Sequence, residues 1–105
     1  MGIDVNSENL EAEVLNSEAV VVADFWAPWC GPCRKLGPVL ESIEESFEGK
    51  MKLVKINADE NIEIMKKFAV SGLPSLLIFK GGEPVERMVG LIPKSSIITN
   101  IEKHL

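Results

Sequence analysis

The sequence has no tyrosine, a single histidine (His104) and only two cysteines, Cys30 and Cys33. With one histidine, a zinc site built on these cysteines would still want two further good ligands, so no metal centre is expected. Long apolar runs are missing as well. Val20–Ala23 and Leu76–Phe79 are clean but short, far below the ~20 residues a membrane span needs. Positive charge is in the minority, with eleven Lys and Arg against sixteen Asp and Glu and a formal net charge of -5. That balance disfavours nucleic acids and anionic membranes, which want basic patches. No Gly-x-Gly-x-x-Gly fingerprint is present, so neither NADPH nor flavin should bind. The opening Met1-Gly2-Ile3-Asp4 carries no basic or apolar leader, and Asn6 stands where a myristoylation signal wants Ser or Thr. A cytoplasmic location is the expectation, in a compartment that keeps thiols reduced.

What remains is an ordinary globular composition, 46% hydrophobic and 26% charged over 105 residues. One domain covering 1–105 is expected, with enough buried surface for a core without staples. The elements alternate. Ser7–Leu15 reads as a helix with Ser7 as N-cap. Val20–Trp26 reads as a strand buried on both faces. Leu36, Leu40, Ile43 and Phe47 recur at helical spacing, with Glu41, Glu44, Glu45 and Glu48 mostly opposite and Pro38 predicting a kink. Gly49 should end that helix, and Met51–Asn57 should be a second central strand. Asp59 is a candidate cap for a helix over Glu60–Phe68. Ser75–Lys80 and Val85–Gly90 flank Gly81-Gly82 as a hairpin. Pro93 opens a last helix with Ile97, Ile98, Ile101 and Leu105 along one stripe. The sum is an α/β fold: a central mixed sheet of four or five strands, flanked by four helices on both faces.

The Cys-x-x-Cys pair sits where a buried strand hands over to a helix. A sulfur at a helix N-terminus meets free N–H groups and the positive end of the dipole, both of which favour thiolate, the nucleophilic form. Cys30, ahead of the helix, should be the more exposed and attacking thiol. Cys33, one turn in, should resolve the mixed disulfide. Pro32 fixes a helical φ without supplying an N–H, and Gly31 lets the chain turn tightly and keeps bulk away from an incoming sulfur. A structural disulfide, half of a metal site and two incidental cysteines are the plainer alternatives. Asp24 is the oddest residue, a carboxyl in a strand expected to be buried, which desolvation should hold protonated to higher pH. It is either a buried base or a strand-end residue reaching solvent. Lys55 could equally be a surface lysine with a buried stem.

Trp29-Cys30-Gly31-Pro32-Cys33 after Val22-Ala23-Asp24-Phe25-Trp26-Ala27-Pro28 resembles the active-site signature of the thioredoxin family. Asn57-Ala58-Asp59, Gly72-Leu73-Pro74-Ser75-Leu76, Phe79-Lys80-Gly81-Gly82 and Val89-Gly90 extend the similarity along the whole chain. The resemblance implies a thioredoxin fold and a dithiol–disulfide oxidoreductase that reduces protein disulfides through Cys30 and Cys33. It needs no cofactor beyond that pair and is re-reduced by a separate thioredoxin reductase of unknown type. A monomer is expected. Gly-Pro between the cysteines resembles reducing members rather than isomerases. By the same resemblance Asp24 takes the Cys33 proton, Lys55 neighbours Asp24, and Pro74 is a cis-proline against the cysteines. Trp29, Gly72, Leu73, Pro74, Gly90 and Leu91 would form an apolar rim for substrate. Trp26 should pack beneath the site. Pro74 could instead merely begin a strand, and Gly90 end one. Gly37 stands where the family usually carries a larger residue, and Ser71 where Arg is common. A binding module in a larger assembly and a metal-carrying dithiol protein are the other functional readings.

Overall fold

Strand β2 (Val20–Trp26) alternates its side chains between two cores. Val21, Ala23 and Phe25 enter one, together with Val54, Ile56, Leu77 and Phe79. Val20 and Val22 enter the other, with Leu53, Leu76 and Ile78. A strand apolar on both faces must be covered on both, which makes β2 the centre of the sheet. In the computed structural model, which describes residues 2–105, the strands run in the order β1-β3-β2-β4-β5. Strand β1 is Ile3–Asp4, β3 is Met51–Asn57, β4 is Ser75–Lys80 and β5 is Glu83–Val89. β3 lies parallel to both β1 and β2, whereas β4 is antiparallel to β2 and to β5. The sheet is therefore mixed and has five strands.

Helices α1 (Gly31–Ser46) and α3 (Lys94–Glu102) cover one face, burying Leu36, Leu40, Ile43, Ile97 and Ile101. The other face is covered by α2 (Ile62–Lys67) and by Glu11–Leu15, through Ile64 and Val14. Each such fully buried side chain contributes ~1.5–3 kcal/mol relative to exposure. The last helix is tied to the sheet edge, where His104 Nε2 lies 2.9 Å from Glu86 Oε2. That hydrogen bond holds the Glu86 carboxyl below its ordinary range. His104 is thus a partly buried tether between the chain after α3 and the sheet edge.

Several boundaries depart from the pattern-based reading, each for a local reason. Asn6, not Ser7, caps the first helical segment: its side chain accepts from Glu8 N at 2.8 Å and its carbonyl accepts from Leu10 N at 2.9 Å. That segment is wound as a π-helix and closes with Asn16 N on Glu11 O at 2.8 Å. Asp59 caps nothing. A 3-10 turn over Ala58–Glu60 precedes α2, and the Asn57 side chain accepts from Asp59 N. Helix α1 runs through Pro38 and stops at Ser46, ahead of Gly49 at φ 82°. Pro93 is the cap of α3, one residue before its first turn. β5 starts at Glu83 and includes Pro84, tolerated because this is an edge strand beside a register shift at Ile78/Phe79.

Gly82 in the β4–β5 turn has two reasons to be glycine. Its φ is 81°, and a Cβ there would stand 2.7 Å from the Leu15 carbonyl oxygen. Both the left-handed backbone and the clash with a main-chain atom count against a side chain. Gly82→Ala is expected to destabilise the protein by roughly 1–3 kcal/mol, read from denaturant midpoints at constant slope.

Candidate active site

The carboxyl end of β2 delivers the chain, through Ala27–Trp29, to the first turn of α1. Cys30 is the N-cap residue, with φ -88° and ψ 108°, and its Sγ accepts the backbone N–H of Cys33 at 3.3 Å. Its own N–H donates to Ala27 O at 3.1 Å and its carbonyl accepts from Arg34 N at 3.3 Å. The main-chain groups around the motif are thus committed to a tight turn into the helix. Pro32 lies at the start of the helix, where a missing N–H is harmless.

Cys30 and Cys33 are joined as a disulfide, with Cα atoms 5.3 Å apart. The exposure difference expected between them is absent in this bonded state: Cys30 is 5% exposed and Cys33 4%. Each sulfur shields the other, and Ala27, Trp26 and Leu73 pack around both. What distinguishes the two is position on the helix, since the capping N–H points at the Cys30 sulfur. Gly31 does not occupy a left-handed turn. A Cβ there would meet nothing within 4 Å, so its smallness leaves open space beside the disulfide.

Three loops build the surface around the sulfurs. Trp29 is 67% exposed, and its indole N–H donates to both oxygens of Asp59 at 3.1 Å. The Leu73–Pro74 peptide bond is cis. Ser75 Oγ donates to Gly72 O at 2.6 Å, and Gly90 N donates to Pro74 O at 2.8 Å. Gly90 has φ 93°, a conformation that favours glycine, so it does more than end a strand. Leu91 beyond it is 53% exposed. The six residues expected to form the rim lie on three loops, of which the second packs Leu73 against both cysteines and is joined to the third by the Gly90 N–H. The Asp59–Trp29 contact was not foreseen, because it joins residues 30 apart in sequence and has no local signal.

Beneath the disulfide lies the second group. Asp24 is 1% exposed and does not reach solvent through the strand end. Its Oδ1 is buried without a hydrogen-bond partner among the described residues. Burial pushes its pKa up from 3.8 to about 6, with the Lys55 charge pulling the other way. Asp24 and Lys55 face each other across the β2–β3 register. Together with Trp26, Cys33, Arg34, Gly37, Pro38 and Glu41 they line a cleft of about 230 Å³. Asp24 and Cys33 thus line one cleft whose volume exceeds the ~30 Å³ share of a liquid water molecule.

The thioredoxin family model matches residues 2–103. The chain is 46% identical to thioredoxin 1 of Nostoc sp. over 96% of this chain and 94% of that one. It is 45% identical to the thioredoxin of Synechocystis sp. over the same shares. The chloroplastic M-type thioredoxin of Chlamydomonas reinhardtii is 40% identical, over 96% of this chain and 72% of its own length. The chain belongs to the thioredoxin family. It is a dithiol–disulfide oxidoreductase whose redox group is its own Cys30–Cys33 pair, and the family requires no added cofactor. Thioredoxins act on protein disulfides and are re-reduced by a thioredoxin reductase or a ferredoxin–thioredoxin reductase. Among the described residues, no helix is long and apolar enough to cross a membrane.

Proposed function

We propose that the reaction divides between the two sulfurs by their places on α1. Reduced Cys30, as thiolate, attacks one sulfur of a substrate disulfide. A Cys30–substrate bond forms and the first substrate thiolate leaves. Cys33 then gives its proton to ionised Asp24, directly or through water in the shared cleft, and attacks the Cys30 sulfur. The intramolecular disulfide forms and the second substrate thiolate leaves. Two electrons pass from the dithiol to the substrate, and protons taken up by the released thiolates complete the balance. The single observation that carries this assignment is the Cys33 N–H donated to the Cys30 sulfur, which favours charge on Cys30 and not on Cys33.

Around this chemistry, Trp29, Gly31, Pro32, Gly72, Leu73, Pro74, Gly90 and Leu91 form the substrate surface in the same reading. An exposed Trp29 and Leu91 beside a cluster of small residues suits a flexible segment carrying a disulfide. The Leu73 backbone, ahead of a proline without an N–H, is free to pair with an extended chain. Lys55 tunes Asp24. The chain 1–105 acts as one domain and as a monomer, in the cytosol, where a reductase keeps the dithiol reduced. The chloroplastic relative makes the chloroplast the alternative compartment.

Trapping tests the division of labour. Cys33→Ser, mixed with a disulfide-bonded protein, is expected to accumulate a covalent adduct at Cys30, seen on a non-reducing gel, and Cys30→Ser none. Equal adducts in both variants would remove the nucleophile assignment. No adduct in either would favour a binding module.

A further inference from the structure

Lys55 has few partners for a lysine in the middle of a sheet. Among the described residues no carboxylate lies within 4.0 Å of its ammonium. Its close partner is an aromatic face: Nζ stands 5.4 Å from the centre of the Trp26 ring. The stem is fixed from another side by Gly2, where a Cβ would come within 2.7 Å of Lys55 Cγ and 3.0 Å of Cδ. From α1 nothing holds the head, because Gly37 has no side chain and a Cβ there would be 3.8 Å from Nζ. Trp26 and Lys55 also form the wall between the Asp24 cleft and a second cleft of about 160 Å³ lined by Asp4, Asn6, Asn57, Glu60 and Asn61. An ammonium not held by the ring has space on either side.

We infer that Trp26 is a positioning residue: its ring face keeps the Lys55 ammonium turned toward Asp24 and away from solvent. The inference rests on Asp24 and Lys55 acting together as proposed above, and it supplies what fixes their distance. A cation over an aromatic face is held by the ring quadrupole, an attraction that strengthens where water is excluded. The charged groups that face Asp24 are Lys55 from β3 and Arg34 and Glu41 from α1, with Asp4 next in register beyond Lys55. Of the cations among these, Lys55 is the one that stands over the Trp26 ring, so a loss of the ring is expected to reach Asp24 through Lys55.

The test follows the Asp24 carboxyl by NMR titration in the oxidised protein. Trp26→Leu is expected to raise its midpoint by roughly half a unit, since the freed ammonium no longer favours the carboxylate. Trp26→Phe keeps a ring face and is expected to leave the midpoint within a fraction of that shift. In a Lys55→Met background, Trp26→Leu is expected to produce no further rise. An unchanged midpoint in Trp26→Leu, or the same rise with Lys55 already gone, would overturn the inference. A direct measurement stands if the leucine variant does not fold: the ε-methylene protons of Lys55 in the unmutated protein should be shifted upfield by the ring, and ordinary lysine positions would contradict the placement. Failure here leaves the proton-acceptor role of Asp24 intact, since that role is read from the resolution step and not from this titration.

Discussion

Replacing Asp24 by Asn is expected to slow resolution of the mixed disulfide by about 10²–10⁴-fold at pH 7, the range a positioned general base contributes. Formation of the mixed disulfide at Cys30 should be nearly unchanged. Asp24 and Cys33 line one cleft, and among the described residues Asp24 Oδ1 has no hydrogen-bond partner. A pKa of about 6 leaves it mostly ionised at pH 7 yet basic enough to accept a proton. The deficit should shrink as pH rises past ~8.5, where an ordinary thiol ionises unaided. Rapid-mixing kinetics that separate adduct formation from release would show this. Equal slowing of both steps would point to a general disturbance of the site.

The same residue should cost the fold stability. The folded carboxyl holds its proton to about pH 6 while its ordinary value is 3.8. Between those values the native state binds more protons than the unfolded chain, so stability falls as pH rises through the window and the loss is complete above it. A difference of about two pKa units corresponds to about 3 kcal/mol. Asn has the shape of the protonated acid and carries no charge. Asp24→Asn is therefore expected to gain up to about 3 kcal/mol above pH 7 in the oxidised protein, and nothing below pH 3.8. Denaturant melts across that range would test it, and an Asp24→Asn variant with an unchanged slope against pH would show that another group carries the dependence. Such a cost in the central strand is what the proposed proton-acceptor role of Asp24 would explain.

Much of this was legible in the chain because the signals are local. Val20–Trp26 announced a central strand by being apolar at successive positions, and its observed ends are the expected ones. The same holds for Met51–Asn57 and Ser75–Lys80. Asp24 stood out because a charge within that run has no local justification. Features that depend on distant partners were not legible. The two residues of β1 carry no pattern of their own and become a strand only by pairing with Val54 and Lys55. Asp59 has the sequence context of a cap, yet its carboxylate is taken by an indole from another loop. The equal burial of the two cysteines follows from their bond to each other, which spacing alone does not report. Nor does spacing reveal that Trp26 lies under Lys55.

In the proposed mechanism the turn from β2 into α1 holds Cys30 as a reactive anion. The rate at which iodoacetamide alkylates Cys30 in the reduced protein, followed by mass spectrometry from pH 5 to 10, reads out that anion. A midpoint well below the ~8.5 of a free cysteine, with Cys33 reacting far more slowly, is the expected result. A midpoint at or above that value, or faster reaction at Cys33, would show that Cys30 is not the activated thiol.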